Sequence, residues 1–187
     1  MKILITTDLF TMGKPGEINA NGVITSVKNL YTELTKIGHE VKILTLSRDR
    51  KTYKEGDVYY MGSLPFPVYP HVRASYISHK KRKYINEILE WKPDVIYLLR
   101  VQNERMDTPY FPSADYHQAF GVTEERLKRI ESLDLSIMHP GPVNRGVELC
   151  DSAMEYRNSL ICNQVENGVA ARMSILSYLT PRTQNHD

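Results

Sequence analysis

Short apolar runs alternate with helical patterns along almost the whole chain, and this alternation is what most limits its fold. Residues 2–8 form an apolar run that ends in polar residues, as a central parallel strand does when ligand chemistry sits at its carboxyl end. A loop rich in Gly, Pro and Asn follows, from Gly13 to Gly22. Val23, Val27, Leu30, Leu34 and Ile37 then recur at three- and four-residue spacing, which predicts a helix stopped by Gly38. Residues 40–46 predict a second strand, so the chain opens with a right-handed βαβ unit.

The pattern continues. Residues 58–61 predict a short third strand, and Pro65, Pro67 and Pro70 make the next segment irregular. A helix over 76–91, with Tyr84, Ile88 and Trp91 on one face, is stopped by Pro93. Residues 95–99 predict the next strand. After a turn-rich stretch over 107–121, Thr123-Glu-Glu-Arg126 caps a helix that ends near Ile130. Residues 136–139 predict a strand aimed at the loop 140–145. A last amphipathic helix spans 164–179, with Val165, Val169, Met173 and Leu176 along one stripe. The expected fold is α/β: a single Rossmann-like, doubly wound domain in three αβα layers, with a mostly parallel sheet of about five strands. The tail 181–187 is expected to fray.

Composition narrows the function classes. A net charge of +2 gives no case for nucleic acid. The cluster Lys80-Lys-Arg-Lys83 reads as the solvated face of a helix, with a lipid headgroup contact as the sharper alternative. Cys150 and Cys162 match no metal motif and read as reduced core thiols of a cytoplasmic protein. No metal or cofactor is expected. No apolar stretch reaches the roughly 18 residues that span a bilayer.

Three features carry a first resemblance: the opening strand, the loop Asn21-Gly-Val-Ile-Thr-Ser26 entering a helix, and Lys36-Ile-Gly-His-Glu-Val-Lys-Ile-Leu44. Lys92-Pro-Asp-Val-Ile96 fits with them. Residues 1–97 resemble the N-terminal domain of GT-B retaining glycosyltransferases, such as those that glucosylate diacylglycerol. A glycine before a helix N-terminus lets backbone N–H groups approach a phosphate. The resemblance implies that Asn21 and Gly22 lie near the diphosphate of a sugar nucleotide. A tight strand-to-helix turn without ligand is the plainer reading. The family binds most of its donor through a C-terminal domain, which does not follow here.

A second resemblance rests on Leu99-Arg-Val-Gln-Asn-Glu-Arg105, His139-Pro-Gly-Pro-Val-Asn-Arg-Gly-Val-Glu148 and Gln164-Val-Glu-Asn-Gly-Val-Ala-Ala-Arg-Met173, in that order. Residues 94–180 resemble the end of aspartate carbamoyltransferase. Arg100 offers a planar fork for a carboxylate, Gln102 a neutral amide two residues on, and Glu104 a partner that can orient Arg100. The resemblance implies that Arg100 and Gln102 contact aspartate, with Glu104 orienting. A surface ion pair is the plainer reading. The prolines of the second motif remove two backbone donors. The resemblance implies that the carbonyls of Pro140 and Gly141 face the reactants' amino groups. Arg145 reads equally as a salt-bridge residue.

The two resemblances overlap on Asp94-Val-Ile-Tyr-Leu-Leu-Arg100, a buried strand in either family. They predict a recombined, engineered chimera: one hybrid domain over 1–187, with a glycosyltransferase-like half at 1–97 and a carbamoyltransferase-like half at 98–180. The Ser-Thr-Arg-Thr-Arg phosphate motif of carbamoyltransferases occurs nowhere in the 187 residues. No catalytic residue is therefore assigned. Weak binding of aspartate or a related dicarboxylate is the expected remnant, and a transferase completed by a partner domain is the alternative. The last helix either packs on the first half or leaves an apolar stripe that favours a homodimer.

Overall fold

The computed structural model describes residues 1–7, 22–47, 50–65, 73–76, 78–99 and 113–180. Strands β1 (Lys2–Thr7), β2 (Glu40–Ser47), β3 (Tyr53–Glu55), β4 (Val58–Gly62), β7 (Val95–Tyr97) and β8 (Ser136–Met138) form one sheet in the order β3-β4-β2-β1-β7-β8. All neighbours are parallel except the edge hairpin β3–β4. The hairpin makes six strands where about five were expected. A separate two-stranded ribbon pairs β5 (Leu64–Pro65) with β6 (Arg73–Ala74), inside the stretch whose prolines predicted irregular chain.

Strand order reverses between β1 and β7, the topological switch point at which open α/β sheets place ligands beyond the carboxyl ends of the strands. Those ends lead into residues 8–21 and 100–112, outside the described residues.

Alternation along the strands builds the layers. Ile3 and Ile5 of β1 point to one face, where Ile24 and Val27 of α1 (Gly22–Lys36) cover them. Leu4 points to the other face and packs with Tyr59, Met61 and Ile88, the last from α2 (His79–Trp91). Farther along the chain, α4 (Glu124–Ser132) and α5 (Asp151–Glu155) bury Leu127 and Ala153 with Ile137 of β8. Tyr84 and Trp91 line the same face of α2 as Ile88, as their spacing predicted.

Local signals set the helix ends. Gly38 follows α1 at φ 88, a left-handed conformation that favours glycine. The Ser78 and Thr123 hydroxyls accept the Lys81 and Arg126 N–H groups and cap α2 and α4. Helix α2 therefore starts at His79, not at Tyr76. Two elements have no apolar stripe to announce them: α3 (Ser113–Phe120), which buries no residue, and the single turn of α5. Helix α6 (Ile161–Leu179) begins a turn earlier than its stripe suggested, because Ile161 enters the core.

Two expectations need correction, and the last helix takes one of its two expected courses. Lys81 is only 5% exposed, so the basic cluster is not wholly a solvated face. Its ammonium donates to the Tyr76 carbonyl at 2.8 Å and lies 4.7 Å from the Tyr76 ring centroid, while burial pushes its pKa down. Cys150 is buried but Cys162 is exposed, so only one thiol belongs to the core. The stripe of α6 stays largely exposed: Val165, Val169, Met173 and Leu176 are 45%, 50%, 65% and 64% exposed.

The sheet is continuous across the region where the two resemblances meet. Strand β7 pairs on one side with β1 (Ile3↔Val95, Ile5↔Tyr97) and on the other with β8 (Val95↔Ser136, Tyr97↔Met138). Asp94 locks its start. Its carboxylate accepts the Lys2 N–H at 2.7 Å, its N–H donates to the Lys2 carbonyl, and its carbonyl accepts the Ser136 N–H.

Candidate functional site

The loop after β8 is built from the fully buried His139 outward. The His139 N–H donates to Gln164 Oε1 of α6 at 3.0 Å. The His139 ring turns back on its own loop, where Nδ1 accepts the Gly141 N–H at 3.0 Å. An amide N–H can only donate, so Nδ1 is unprotonated here. Gly141 sits at φ 64 and precedes a cis bond to Pro142. The left-handed φ favours glycine, and a Cβ there would lie 3.0 Å from Val165 Cγ2, which would have to give slightly.

Pro140 is exposed and Gly141 half-buried. Among the described residues, neither carbonyl accepts a hydrogen bond. Two acceptors thus stand ready at the carboxyl end of a parallel strand.

The following turn is closed by charge. The Glu148 carboxylate accepts the Asn144 N–H at 2.9 Å and its Nδ2–H at 2.8 Å. The Glu148 carbonyl accepts the Val122 N–H, and Cys150 N–H donates to the Val122 carbonyl. Burial pushes the Cys150 thiol up, away from the thiolate. Arg145 pairs with Asp151 at 3.1 Å on the surface, which is the salt-bridge reading of that residue.

Of the residues singled out from sequence, the structure describes Pro140, Gly141 and Gly22. Arg100, Gln102, Glu104 and Asn21 lie outside the described residues. Gly22 is the exposed first residue of α1, and among the described residues a Cβ there would meet nothing within 4 Å. Sequence reasoning assigned no role to Tyr97 or Gln164, although both lay inside quoted motifs. Gln164 Nε2 donates to the Tyr97 hydroxyl at 3.2 Å. Burial pushes the Tyr97 phenol up, and the Gln164 hydrogen bond pulls partly against it. No group of three or more metal-ligating side chains occurs among the described residues.

A doubly wound, mostly parallel sheet with helices packed on it defines the class as a Rossmann-like α/β domain. Residues 73–179, more than half the chain, match the family model for the aspartate/ornithine carbamoyltransferase Asp/Orn-binding domain, and the chain belongs to that family. Residues 20–102 also match Glycosyltransferase Family 4. The matches overlap on residues 73–102, a wider span than the shared strand motif alone.

Among curated relatives, the aspartate carbamoyltransferase catalytic subunit of Akkermansia muciniphila is 68% identical over 101 residues, 54% of this chain and 33% of that protein. That of Flavobacterium psychrophilum is 37% identical over 158 residues, 84% of this chain and 44% of that protein. The chain thus spans less than half the length of these relatives. A crystal structure of an N-acetyl-L-ornithine transcarbamylase mutant aligns with TM-score 0.40 at 13% identity, covering 96% of this chain and 49% of that one.

Proposed function

We propose that this chain is a recombined domain that binds aspartate or a related dicarboxylate weakly and does not by itself transfer a carbamoyl group. The observation that supports the reading is the pair of carbonyls at Pro140 and Gly141 that accept no hydrogen bond among the described residues, at the end of β8 and inside the matched region. A protonated amino group can donate to both. Arg100 and Gln102 would supply the carboxylate side, with Glu104 orienting Arg100. The 187 residues hold no Ser-Thr-Arg-Thr-Arg motif, so cationic stabilisation of a departing phosphate would have to come from elsewhere. The chain spans less than half the length of the relatives it matches, and a site shared with the remainder would be less enclosed and would hold small ligands less tightly.

An amide NMR titration with aspartate tests this. Shifts confined to the loop 139–141 and to residues near Arg100, saturating at millimolar ligand and lost in Arg100→Ala, are expected. A spectrum unmoved by tens of millimolar aspartate would sink the reading.

The glycosyltransferase match supports a second ligand reading at Asn21 and Gly22, since the exposed Gly22 opens α1 and a helix N-terminus can take a phosphate. Uridine diphosphate in the same titration separates the two. The exposed stripe of α6 supports self-association into a dimer. Light scattering should show mass rising with concentration, and a constant monomer mass would exclude it.

A further inference from the structure

From the geometry around His139 we infer that Gln164 is the positioning residue of the Pro140–Gly141 loop, joining α6, β7 and β8 through one side-chain amide. The inference rests on the aspartate reading above and concerns how that site is held open.

The orientation of the amide follows from its partners. The His139 N–H can only donate, so it must face Gln164 Oε1, 3.0 Å away. Nε2 then points to the Tyr97 oxygen at 3.2 Å and must donate to it. The Tyr97 hydroxyl therefore acts as an acceptor here, and its own proton is left for another partner. Tyr97 is the last residue of β7, the strand beside the switch point.

One further bond carries the constraint to the ligand side. With its backbone fixed by Gln164, His139 presents Nδ1 to the Gly141 N–H at 3.0 Å. That bond turns the Gly141 peptide and leaves the Pro140 and Gly141 carbonyls without an internal donor among the described residues. Val165, next to Gln164, closes on Gly141 from the same helix. Two consecutive residues of α6 thus shape the loop, one by hydrogen bond and one by contact. Gln164 itself does not touch the carbonyls, so it acts through His139.

Gln164→Leu and Gln164→Glu in the full chain test this by NMR. Leucine removes both bonds at similar size. Glutamate keeps an acceptor for the His139 N–H, and the Tyr97 hydroxyl can turn its proton toward the carboxylate. The Leu variant should move the His139 and Gly141 amide resonances upfield, alter the His139 ring nitrogen shifts, and weaken aspartate about tenfold. The Glu variant should restore the amide positions. A purely structural role would lower the melting temperature of both variants without selective change at 139–141. Wild-type amide positions and wild-type aspartate response in the Leu variant would overturn the inference. If the wild-type chain ignores aspartate, the ligand reading fails, while the amide shifts still decide whether Gln164 holds the loop. Should the Leu variant not fold, Tyr97→Phe cuts only the far bond. A smaller displacement of the same resonances is then expected, and none at all would count against the bridge.

Discussion

On one side of β7 the sheet is wide, and on the other it is narrow. Strands β1 and β2 run six and eight residues, and apolar side chains cover both of their faces. Strands β7 and β8 run three residues each. The chain beyond β7 places its helices around a second core and fastens the loops between them with polar groups. Arg126 caps the end of α3 through the carbonyls of Gly121, Gln118 and Ala119. Glu148 closes one turn, and Gln164 holds another. The wide side is held mainly by burial, which is non-directional. The narrow side has a buried core of its own and adds hydrogen bonds, which fix positions. The acceptors at Pro140 and Gly141 lie on the narrow side, and the binding proposed for them would need such fixed positions.

The difference can be broken by deleting the centre of either core. Ile43 in β2 and Ile137 in β8 are both 0% exposed. Either change to alanine should cost about 3–4 kcal/mol. Trp91, the chain's single tryptophan, packs against the wide side and reports on it by fluorescence. Because β7 bonds to β1 and β8 alike, Ile137→Ala should lower the Trp91 transition as much as the far-ultraviolet circular dichroism transition. If circular dichroism fell early in Ile137→Ala while Trp91 held, the two sides would be separate units that happen to share a strand.

The same contrast explains what could be read from the sequence. Burial on the wide side leaves a periodic trace: Val23, Val27 and Leu30 announced α1, and Tyr84, Ile88 and Trp91 announced the face of α2. The continuous parallel sheet followed from the alternation of such segments. Polar fastening leaves no such trace. Helix α3 was missed because its place is set by Arg126 and by a His117 Nδ1 contact to the Val147 carbonyl at 3.1 Å, not by a stripe. Lys81 looked solvated because no pattern shows that a lysine will find a carbonyl and a ring. Within the site, the Pro-Gly-Pro motif was visible, but its support was not. Gln164 lies 25 residues from His139 and 67 from Tyr97, distances that only the fold closes.

Each side also carries an ion pair, and the two should differ by little but in a defined direction. Lys54 and Glu87 join β3 to α2, with side chains 32% and 38% exposed, and Glu87 also accepts the buried Tyr59 hydroxyl at 2.8 Å. Arg145 and Asp151 are 60% and 74% exposed. Glu87→Gln keeps an acceptor for Tyr59 and removes only the charge. It should cost about 1 kcal/mol, against under about 0.5 kcal/mol for Arg145→Ala, because solvent screens exposed pairs. The pH dependence separates them further. The hydrogen bonds from Lys54 and Tyr59 hold the Glu87 carboxyl below its usual range. A depressed carboxylate stabilises the fold above its unfolded pKa and loses that contribution as pH falls through its folded pKa. The hydrogen bond to Glu87 raises the Lys54 pKa, so its share is present below the unfolded lysine pKa and is lost only in strong alkali. Urea titrations from neutral to acid pH should therefore show wild type and Arg145→Ala losing stability along parallel curves, and Glu87→Gln along a flatter one. A Glu87→Gln curve parallel to wild type would mean that the pair beneath α2 is as fully screened as the one beside the loop.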